Sequence, residues 1–444
     1  MILEEVHQEI RRLVYSLSKD REKQGSFDLE AAEFFIRDRM HRCGAIILEH
    51  ILEHEDGRTV EVCCPCGGTF RNQKNREKTI LTVLGYVRLR RIIQCCDECG
   101  AWRAVQDKVL DVQRTGFSPG VRRMMARTAA EVCFDKARDF MCDLAGVMVS
   151  DKDVERISEG IGADIGEKNQ VKVQAVMKGE PVASTDCPKI LYIVTDGTGV
   201  PVLKKETEGR KAKAADQIAR TREAKLGAVF TQTKTNKEGE PIRDPASTSY
   251  VGRIESVETF GPRLYTEALR RGLNEAELVV VLGDGALWIW NLADEHFPGA
   301  TQIVDFYHAK EHLWEMARTF FSDNEQERNE WAKAICDDLW EGQIASVLDT
   351  LSSLSGRGKI MELIDKKIIY FENNKERMCY NYYRQAGLFI GSGVVEAGCK
   401  TVIAQRLKHS GMRWTVRGAN SIISLRCCIA SGYFEDYWED RLVA

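Results

Sequence analysis

Three absences limit what this chain can be. Its N-terminal segment, MILEEVHQEIRRL, carries acidic residues early and has no apolar core, so it does not resemble a secretory signal. No apolar run approaches the roughly 20 residues that a membrane-spanning helix needs, and the best candidate is interrupted by Asp284. Internal repeats and low-complexity stretches are also missing. Together these absences predict a soluble, cytoplasmic protein made of ordinary globular domains.

Acidic residues are missing from one long segment. No Asp or Glu occurs between Ala397 and Phe434, although the formal net charge of the 444-residue chain is only −4. The basic residues of this segment are Lys400, Arg406, Lys408, Arg413, Arg417 and Arg426. A second basic stretch contains Arg71, Lys74, Arg76, Lys78, Arg88, Arg90 and Arg91. Local basic surface on a nearly neutral chain favours contact with phosphate on selected faces, and ordinary solvated surface charge is the alternative.

The fifteen cysteines are an odd number and they cluster, which argues against a disulfide framework in a chain without an export signal. The strings CCPCGG and CCDECG contain Cys63-x-x-Cys66 and Cys96-x-x-Cys99. Each C-x-x-C turn can direct two thiolates at one tetrahedral ion, and two such turns joined by a hairpin form a zinc ribbon. We therefore predict a structural zinc ion held by Cys63, Cys66, Cys96 and Cys99. Ligation by Cys64 and Cys66 is an open alternative, as is a set of buried free cysteines.

The chain divides into regions of different pattern. We predict an N-terminal helical region at residues 1–60, a zinc-ribbon-like module at 61–112 and a helical region at 113–185. The third region reads as three helices. Ser118-Pro119 begins the first, Gly146 ends the second and Ser150 caps the third. The short break between the second and third helices is compatible with a helix-turn-helix that binds DNA.

From Lys189 onward, strand-like runs predict an α/β domain. Asp196 follows the strand ILYIVT, and Asp284 follows the strand LVVVLG. Carboxylates at the ends of two neighbouring buried strands can lie side by side and bind hard cations such as Mg²⁺. Glu396, which follows the Gly-Ser-Gly turn of IGSGVVEAGCK, is the candidate third acid of a two-metal site. Each of these residues taken alone is weak evidence, because an Asp before Gly after a strand is more often a turn residue.

Several long motifs resemble transposases of the ISKra4 family of insertion sequences: TDGTGVPVL, TREAKLGAVFTQ, RDPASTSYVGRIE, GDGALWIWNLADEHFPGATQIVDFYHAKEHL and IGSGVVEAGCKTVIAQRLKHSGMRWT. The resemblance covers nearly the whole chain. It implies a DDE enzyme with an RNase H-like mixed-sheet core at residues 186–312 and 391–434, and an all-helical insertion at 313–390. It places the catalytic, Mg²⁺-binding or Mn²⁺-binding triad at Asp196, Asp284 and Glu396.

The string from His308 to His312 has the H-x-x-E-H spacing of some zinc proteases. The resemblance favours another interpretation, because Asp305-Phe-Tyr-His308 looks like a D-x-x-H element that braces the core of related transposases. Nothing in the chain specifies the additional ligand or the peptide cleft of a protease. We therefore expect Asp305 and His308 to support the core, and His312 to be an ordinary helix residue.

The resemblance implies a function: cleavage of DNA at the terminal inverted repeats of the element, and transfer of the strands to target DNA. Double-stranded DNA is the expected partner, and joining two ends requires a homodimer or larger assembly near the bacterial nucleoid. Trp288, Trp290 and Trp414 could stack on bases, although core packing is favoured for the first two. The residues predicted to contact DNA are Lys400, Arg406, Lys408, Arg413, Trp414 and Arg417. A non-cleaving zinc-ribbon DNA-binding protein and a nuclease without strand transfer are the rival functions.

Overall fold

The computed structural model describes residues 4–12, 14–15, 28–54, 63–184, 187–210, 219–356 and 358–443. The chain forms two compact units, the first comprising Met1–Ser158 with Trp438–Ala444 and the second Glu159–Tyr437. This division falls inside one helix, whereas the sequence predicts a boundary near residue 185. The finer division into five domains stays a prediction. Parts of the predicted N-terminal helical region, residues 16–27 and 55–60, lie outside the described residues.

The first unit contains a three-stranded antiparallel sheet in the order β1-β2-β3. Its strands are β1 (Phe70–Thr82), β2 (Gly85–Cys96) and β3 (Trp102–Ala104). The register pairs Phe70 with Cys96, so the start of β1 lies beside the end of β2. The sheet is stabilised by a small apolar cluster of Ile80, Leu89 and Val112. Because the two cysteine turns flank these paired ends, the sheet brings them together.

The helices of the first unit begin and end at the predicted caps. The Ser118 side chain accepts the Val121 N–H at 3.3 Å, with proline at the first helical position. Gly146 ends the next helix in the left-handed conformation at φ 66°. Ser150 accepts the Asp153 N–H at 3.0 Å. The helices are α1 (Leu29–His54), α2 (Val105–Val109), α3 (Pro119–Glu131), α4 (Phe134–Ala145) and α5 (Asp151–Met177), which continues into the second unit.

The second unit is built on a five-stranded mixed sheet in the order β10-β9-β4-β5-β8. These strands are β4 (Ile190–Pro201), β5 (Thr221–Gln232), β8 (Ser249–Arg253), β9 (Leu278–Gly283) and β10 (Thr301–Val304). β5 runs antiparallel to both β4 and β8, while β9 is parallel to β4 and β10. A small hairpin of β6 (Lys234–Thr235) and β7 (Pro241–Ile242) lies outside this sheet. The mixed α/β architecture predicted from the sequence is confirmed.

Continuous apolar sequence explains why the central strands are buried. The side chains from Leu191 to Val194 on β4, and from Val280 to Leu282 on β9, are fully buried, as expected for strands covered on both faces. Helices α6 (Val257–Arg270) and α15 (Val416–Ala430) pack against the sheet. Two further helices are α7 (Leu287–His296) and α16 (Phe434–Val443), which continues into the first unit.

Helices are the only regular elements in the described part of the predicted insertion, residues 313–390. They are α8 (Phe306–Phe320), α9 (Glu325–Trp340), α10 (Ile344–Ser353), α11 (Lys359–Asn374) and α12 (Tyr380–Gln385). The chain then enters α13 (Gly393–Gly398), a π-helical turn (Cys399–Ala404) and α14 (Gln405–Leu407). Among the described residues, no helix has both the length and the apolar character needed to cross a membrane.

Candidate acidic site and cysteine centre

Asp196 and Asp284 lie at the same edge of the second unit's sheet. The parallel register of β4 and β9 pairs Val194 with Leu282, and each aspartate follows its paired residue by two positions. Side chains at equivalent positions of neighbouring strands lie close to one another. The sheet therefore brings together the two aspartates that the sequence predicted as partners.

Glu396 reaches this edge from α13, which packs against β4 and β5. Burial raises the pKa of Asp196, and the negative charges of Asp284 and Glu396 raise it further. The three predicted carboxylates are thus close enough to interact electrically. Glu396 is the most exposed of them, and its Oε2 lies 3.7 Å from Nζ of Lys400 one helical turn later.

Short local hydrogen bonds orient the two aspartates. Asp196 Oδ1 accepts the Gly197 N–H at 2.6 Å, and Asp284 Oδ1 accepts the Ala286 N–H at 2.9 Å. The Cys399 thiol also hydrogen-bonds to Asp196, and burial raises the pKa of this thiol, so it stays a protonated donor. One oxygen of each aspartate is therefore held in place by its own turn.

Asp305 connects three segments around the acidic edge. Its buried side chain caps α8 by accepting the His308 N–H at 2.9 Å, and it accepts both the backbone N–H and the hydroxyl of Ser392. Its own N–H donates to the carbonyl of Gly283, at the end of β9, at 2.7 Å. Asp305 therefore ties the start of α8 to the strand before Asp284 and to the turn before Glu396, in the position that a core-supporting residue would take.

The half-buried histidine pair belongs to a network around the buried Lys367. Lys367 donates from Nζ to Nδ1 of His312 at 2.6 Å and to Glu315 at 2.5 Å. The His308 and His312 rings meet edge to face at 4.7 Å. Among the described residues, the histidine pair and Glu311 do not form a group close enough to hold a metal ion, so the arrangement gives no support to a zinc-protease interpretation. His312 has more contacts than the ordinary helix residue that the sequence predicted.

This network predicts a pH-dependent stability. Burial, together with the charges of Lys367 and His308, lowers the pKa of His312 to about 4 from its ordinary value of 6.5, although Glu315 opposes the shift. The unfolded chain therefore binds more protons than the folded chain between these values, so this contribution is complete above pH 6.5 and is lost as the pH falls to about 4. We expect it to reach roughly 3 kcal/mol.

Urea unfolding of the native protein and of His312→Gln, measured between pH 4 and 7, tests this expectation. The glutamine can still accept from Lys367 but does not titrate, so the acid-induced loss should shrink. The exposed His409, replaced in the same way, is the matched control and should leave the profile unchanged. Identical pH profiles for the native protein and His312→Gln would contradict the prediction.

Burial corrects part of the predicted DNA-contacting set. Arg406 is fully buried, with its guanidinium 5.1 Å from the ring centre of Trp414. Trp414 is itself buried and donates from Nε1 to the Leu407 carbonyl at 3.1 Å. These two residues pack inside the second unit and do not offer a surface to DNA. The remaining four members of the set are exposed: Lys400, Lys408, Arg413 and Arg417.

Several of the other tryptophans and basic residues considered for contact with DNA are also buried. Trp290 is buried and donates to Asn374 at 2.8 Å, which confirms core packing, while Trp288 is half-buried with Nζ of Lys225 5.6 Å from its ring centre. In the second basic stretch, two residues form ion pairs with the buried carboxylate of Asp107 and so serve the fold: Lys78 and Arg91. Arg426 is also buried, and it donates to the Val402 carbonyl at 2.6 Å.

The cysteine turns of the first unit form one cluster, with one difference from the predicted ligands. The thiol sulfurs of Cys64, Cys66, Cys96 and Cys99 all lie within 4.8 Å of one another. Cys63 is exposed and stands outside this group. It forms an antiparallel bridge with Thr69, and because side chains alternate along extended backbone, its neighbour Cys64 faces the turn. The predicted ligand Cys63 is therefore replaced by Cys64.

The four thiols fit a tetrahedral zinc ion. A Zn–S distance of about 2.3 Å places ligand sulfurs about 3.8 Å apart, and the Cys64–Cys99 and Cys66–Cys96 sulfurs are 3.6 and 3.5 Å apart. The Gly68 N–H donates to the Cys66 sulfur, and with Cys99 it lowers the pKa of Cys66 to about 7. The centre can therefore hold a metal such as zinc. Among the described residues, no such close group is formed by the acidic triad.

Three residues that contact the acidic site were not identified from the sequence: Tyr370, Asn374 and Cys399. Tyr370 donates from its hydroxyl to the Asp284 carbonyl at 2.9 Å, and Asn374 makes a longer contact of 3.4 Å with the Gly285 carbonyl. Both are on α11, whose amphipathic sequence gives no sign of contact with a distant turn. Cys399 could have been found, because it lies three residues after Glu396, on the same helical face.

This chain is similar to a protein family, to a curated protein and to a solved structure. Residues 23–439 match the family UPF0236, described as an uncharacterised protein family. The chain is 22% identical over 339 residues to the "UPF0236 protein in vanSb 3'region" of Streptococcus gallolyticus, covering 75% of this chain and 68% of that protein. The Drosophila P element transposase strand transfer complex aligns with 76% of this chain and 84% of its own chain. Its identity is 11% and its TM-score is 0.25, too low to establish a shared fold.

Proposed function

We propose that this chain, which belongs to the uncharacterised family UPF0236, is a DDE transposase that cuts and joins DNA at the ends of its own insertion sequence. The observation that carries the proposal is the meeting of Asp196, Asp284 and Glu396 at one edge of a mixed sheet. Across this sheet the strands lie in the order β8, β5, β4, β9, β10, and only β5 is antiparallel to its neighbours. Numbered along the chain, this is the order third, second, first, fourth, fifth. We assign the sheet to an RNase H-like core on the basis of this order.

In this proposal the three carboxylates hold divalent cations, Mg²⁺ or Mn²⁺. Carboxylate oxygens are suitable ligands for these ions, and the negative charge gathered around half-buried Asp196 is what a cation would neutralise. Ions bound there would activate water or a DNA 3′-hydroxyl and stabilise the leaving 3′ oxygen. The protein itself would orient the ligands. The turns at Asp196 and Asp284 each fix one carboxylate oxygen, and Asp305 binds Ser392 in the turn before Glu396.

Two surfaces are candidates for DNA contact. In the first, exposed Lys400 lies four residues after Glu396, and exposed Lys408 donates to the hydroxyl of Thr198, two residues after Asp196, at 2.6 Å. In the first unit, the cysteine ribbon and helices α3 and α4 are proposed to recognise the terminal repeats, with the zinc ion serving the fold of the ribbon. Joining two ends requires at least a homodimer.

Cleavage of labelled DNA carrying the element's ends tests the proposal. We expect cuts at the ends and strand-transfer products with Mg²⁺ or Mn²⁺, and neither with EDTA. Metal-dependent cuts without joined products would favour a nuclease. Binding without cleavage in any divalent metal would overturn the proposal in favour of a non-cleaving DNA-binding protein that retains the zinc ribbon.

A further inference from the structure

The helical segment between Asp284 and Glu396 contacts the acidic edge directly through α11. We propose that α11 is a positioning element for Asp284, with Tyr370 and Asn374 as the positioning residues. The contacts of these two residues determine the shape of the turn at Asp284, whichever reaction the site performs. Only the consequence for catalysis rests on the proposed function.

Tyr370 contacts the Asp284 turn through both its hydroxyl and its ring. The hydroxyl donates to the Asp284 carbonyl at 2.9 Å. Burial raises the pKa of Tyr370, and the negative charges of Asp284 and Asp305 raise it further, so the hydroxyl remains a donor throughout the neutral range. A buried carbonyl that loses its donor is costly, so this bond constrains the peptide unit that follows Asp284.

Gly285 allows this close approach. Its φ of +97° lies in the region that side chains rarely adopt, and a Cβ at this position would lie 2.6 Å from Cε2 of Tyr370. The glycine after Asp284 therefore serves two purposes. It permits the sharp turn in which Asp284 Oδ1 accepts the Ala286 N–H, and it leaves room for the tyrosine ring.

Asn374, one helical turn after Tyr370, also contacts the turn at Asp284. It is buried, and its amide nitrogen donates to the Tyr370 carbonyl at 2.9 Å and lies 3.4 Å from the Gly285 carbonyl. Its amide oxygen accepts Nε1 of the buried Trp290 at 2.8 Å. Asn374 thus joins α11 both to the turn and to α7, the helix that follows Asp284, so the turn is held from two sides.

Contacts with α8 hold α11 itself in place. Lys367, one turn before Tyr370, is bonded to His312 and Glu315 on α8, and the His312 ring lies 4.4 Å from the Tyr370 ring. The N-terminal end of α8 is capped by Asp305, which also holds the turn leading to Glu396. Contacts therefore run from the turn at Asp284 through α11 and α8 to the segment before Glu396.

The test compares the native full-length protein with Tyr370→Phe, which removes one oxygen and keeps the ring. Tyr382→Phe is the matched control, because Tyr382 is exposed on the neighbouring helix. Hydrogen–deuterium exchange of the peptide at residues 283–292 should be about fivefold faster in Tyr370→Phe, as expected for one lost hydrogen bond. The kcat for DNA cleavage should fall about 10- to 100-fold, with KM within about twofold, because a small displacement of a reacting group is expensive.

The two readouts separate the possible failures. Unchanged exchange in Tyr370→Phe, equal to that of Tyr382→Phe, would overturn the positioning role whatever the enzyme does. Faster exchange with native kcat would show that the contact is structural only, which also overturns the inference. If the native protein cleaves no DNA, the proposed function fails, while the exchange comparison still decides whether α11 holds the turn.

Discussion

Replacement of Asp284 by asparagine should lower the rate of DNA cleavage by about 10²- to 10³-fold or more, while binding of the same DNA persists. Asparagine has nearly the same shape, and its side-chain oxygen can still accept the Ala286 N–H that orients Asp284 at 2.9 Å. What it lacks is the negative charge with which a carboxylate attracts a divalent cation. The turn should therefore survive while the site loses its function.

The same loss is expected for Asp196→Asn and Glu396→Gln, because the proposed function assigns the three carboxylates to one site. Their effects should not add, so a double variant should be little worse than either single one. Asp323→Asn, at an exposed position of the helical segment, is the matched control and should cleave normally. Cleavage that continues at more than about a tenth of the native rate in Asp284→Asn would rule out the triad assignment.

The second large effect concerns the cysteine cluster, where two adjacent residues should behave oppositely. Cys64→Ser removes a buried sulfur that lies 3.6 Å from that of Cys99. We expect zinc affinity to fall by at least about 100-fold, because a hydroxyl is a poor substitute for a thiolate and metal binding is coupled to folding. The ribbon has only a small apolar cluster of its own, centred on Ile80, Leu89 and Val112, so it should unfold with the loss of zinc.

Cys63→Ser is the matched control, since the same substitution is made one residue earlier at an exposed sulfur. Zinc content measured by mass spectrometry after a challenge with EDTA, and protease resistance of residues 63–104, should match the native protein in Cys63→Ser and collapse in Cys64→Ser. The opposite ranking would restore Cys63 as the ligand. Equal zinc retention in both variants would show that neither sulfur is essential.

Much of the local structure could be predicted because it depends on local chemistry. Ser118, Gly146 and Ser150 mark helix ends through hydrogen bonds or backbone conformations that involve only the next few residues. The apolar runs before Asp196 and Asp284 predict buried strands for a similar reason. The order of the residues also shows directly that there are two cysteine turns and that acidic residues follow two strands.

The choice between neighbouring candidates could not be predicted in the same way. Cys63 and Cys64 have the same chemistry, and only the bridge between Cys63 and Thr69 decides which sulfur faces the cluster. Arg406 and Arg413 belong to the same acid-free segment, yet Arg406 is fully buried beside Trp414 while Arg413 is exposed. Charge and sequence position alone did not distinguish a surface arginine from a packed one.

The sequence by itself determined where strands, helices and cysteine turns occur, because these follow from patterns a few residues long. Only the tertiary structure decided which side chains meet. Tyr370 and Asn374 contact the turn at Asp284 across a long stretch of chain, and Asp305 reaches Ser392 in the same way. Such contacts depend on how amphipathic helices pack. The apolar face of α11 could have packed against many other apolar surfaces with a similar free energy. Burial and long-range hydrogen bonding therefore selected the arrangement of the site.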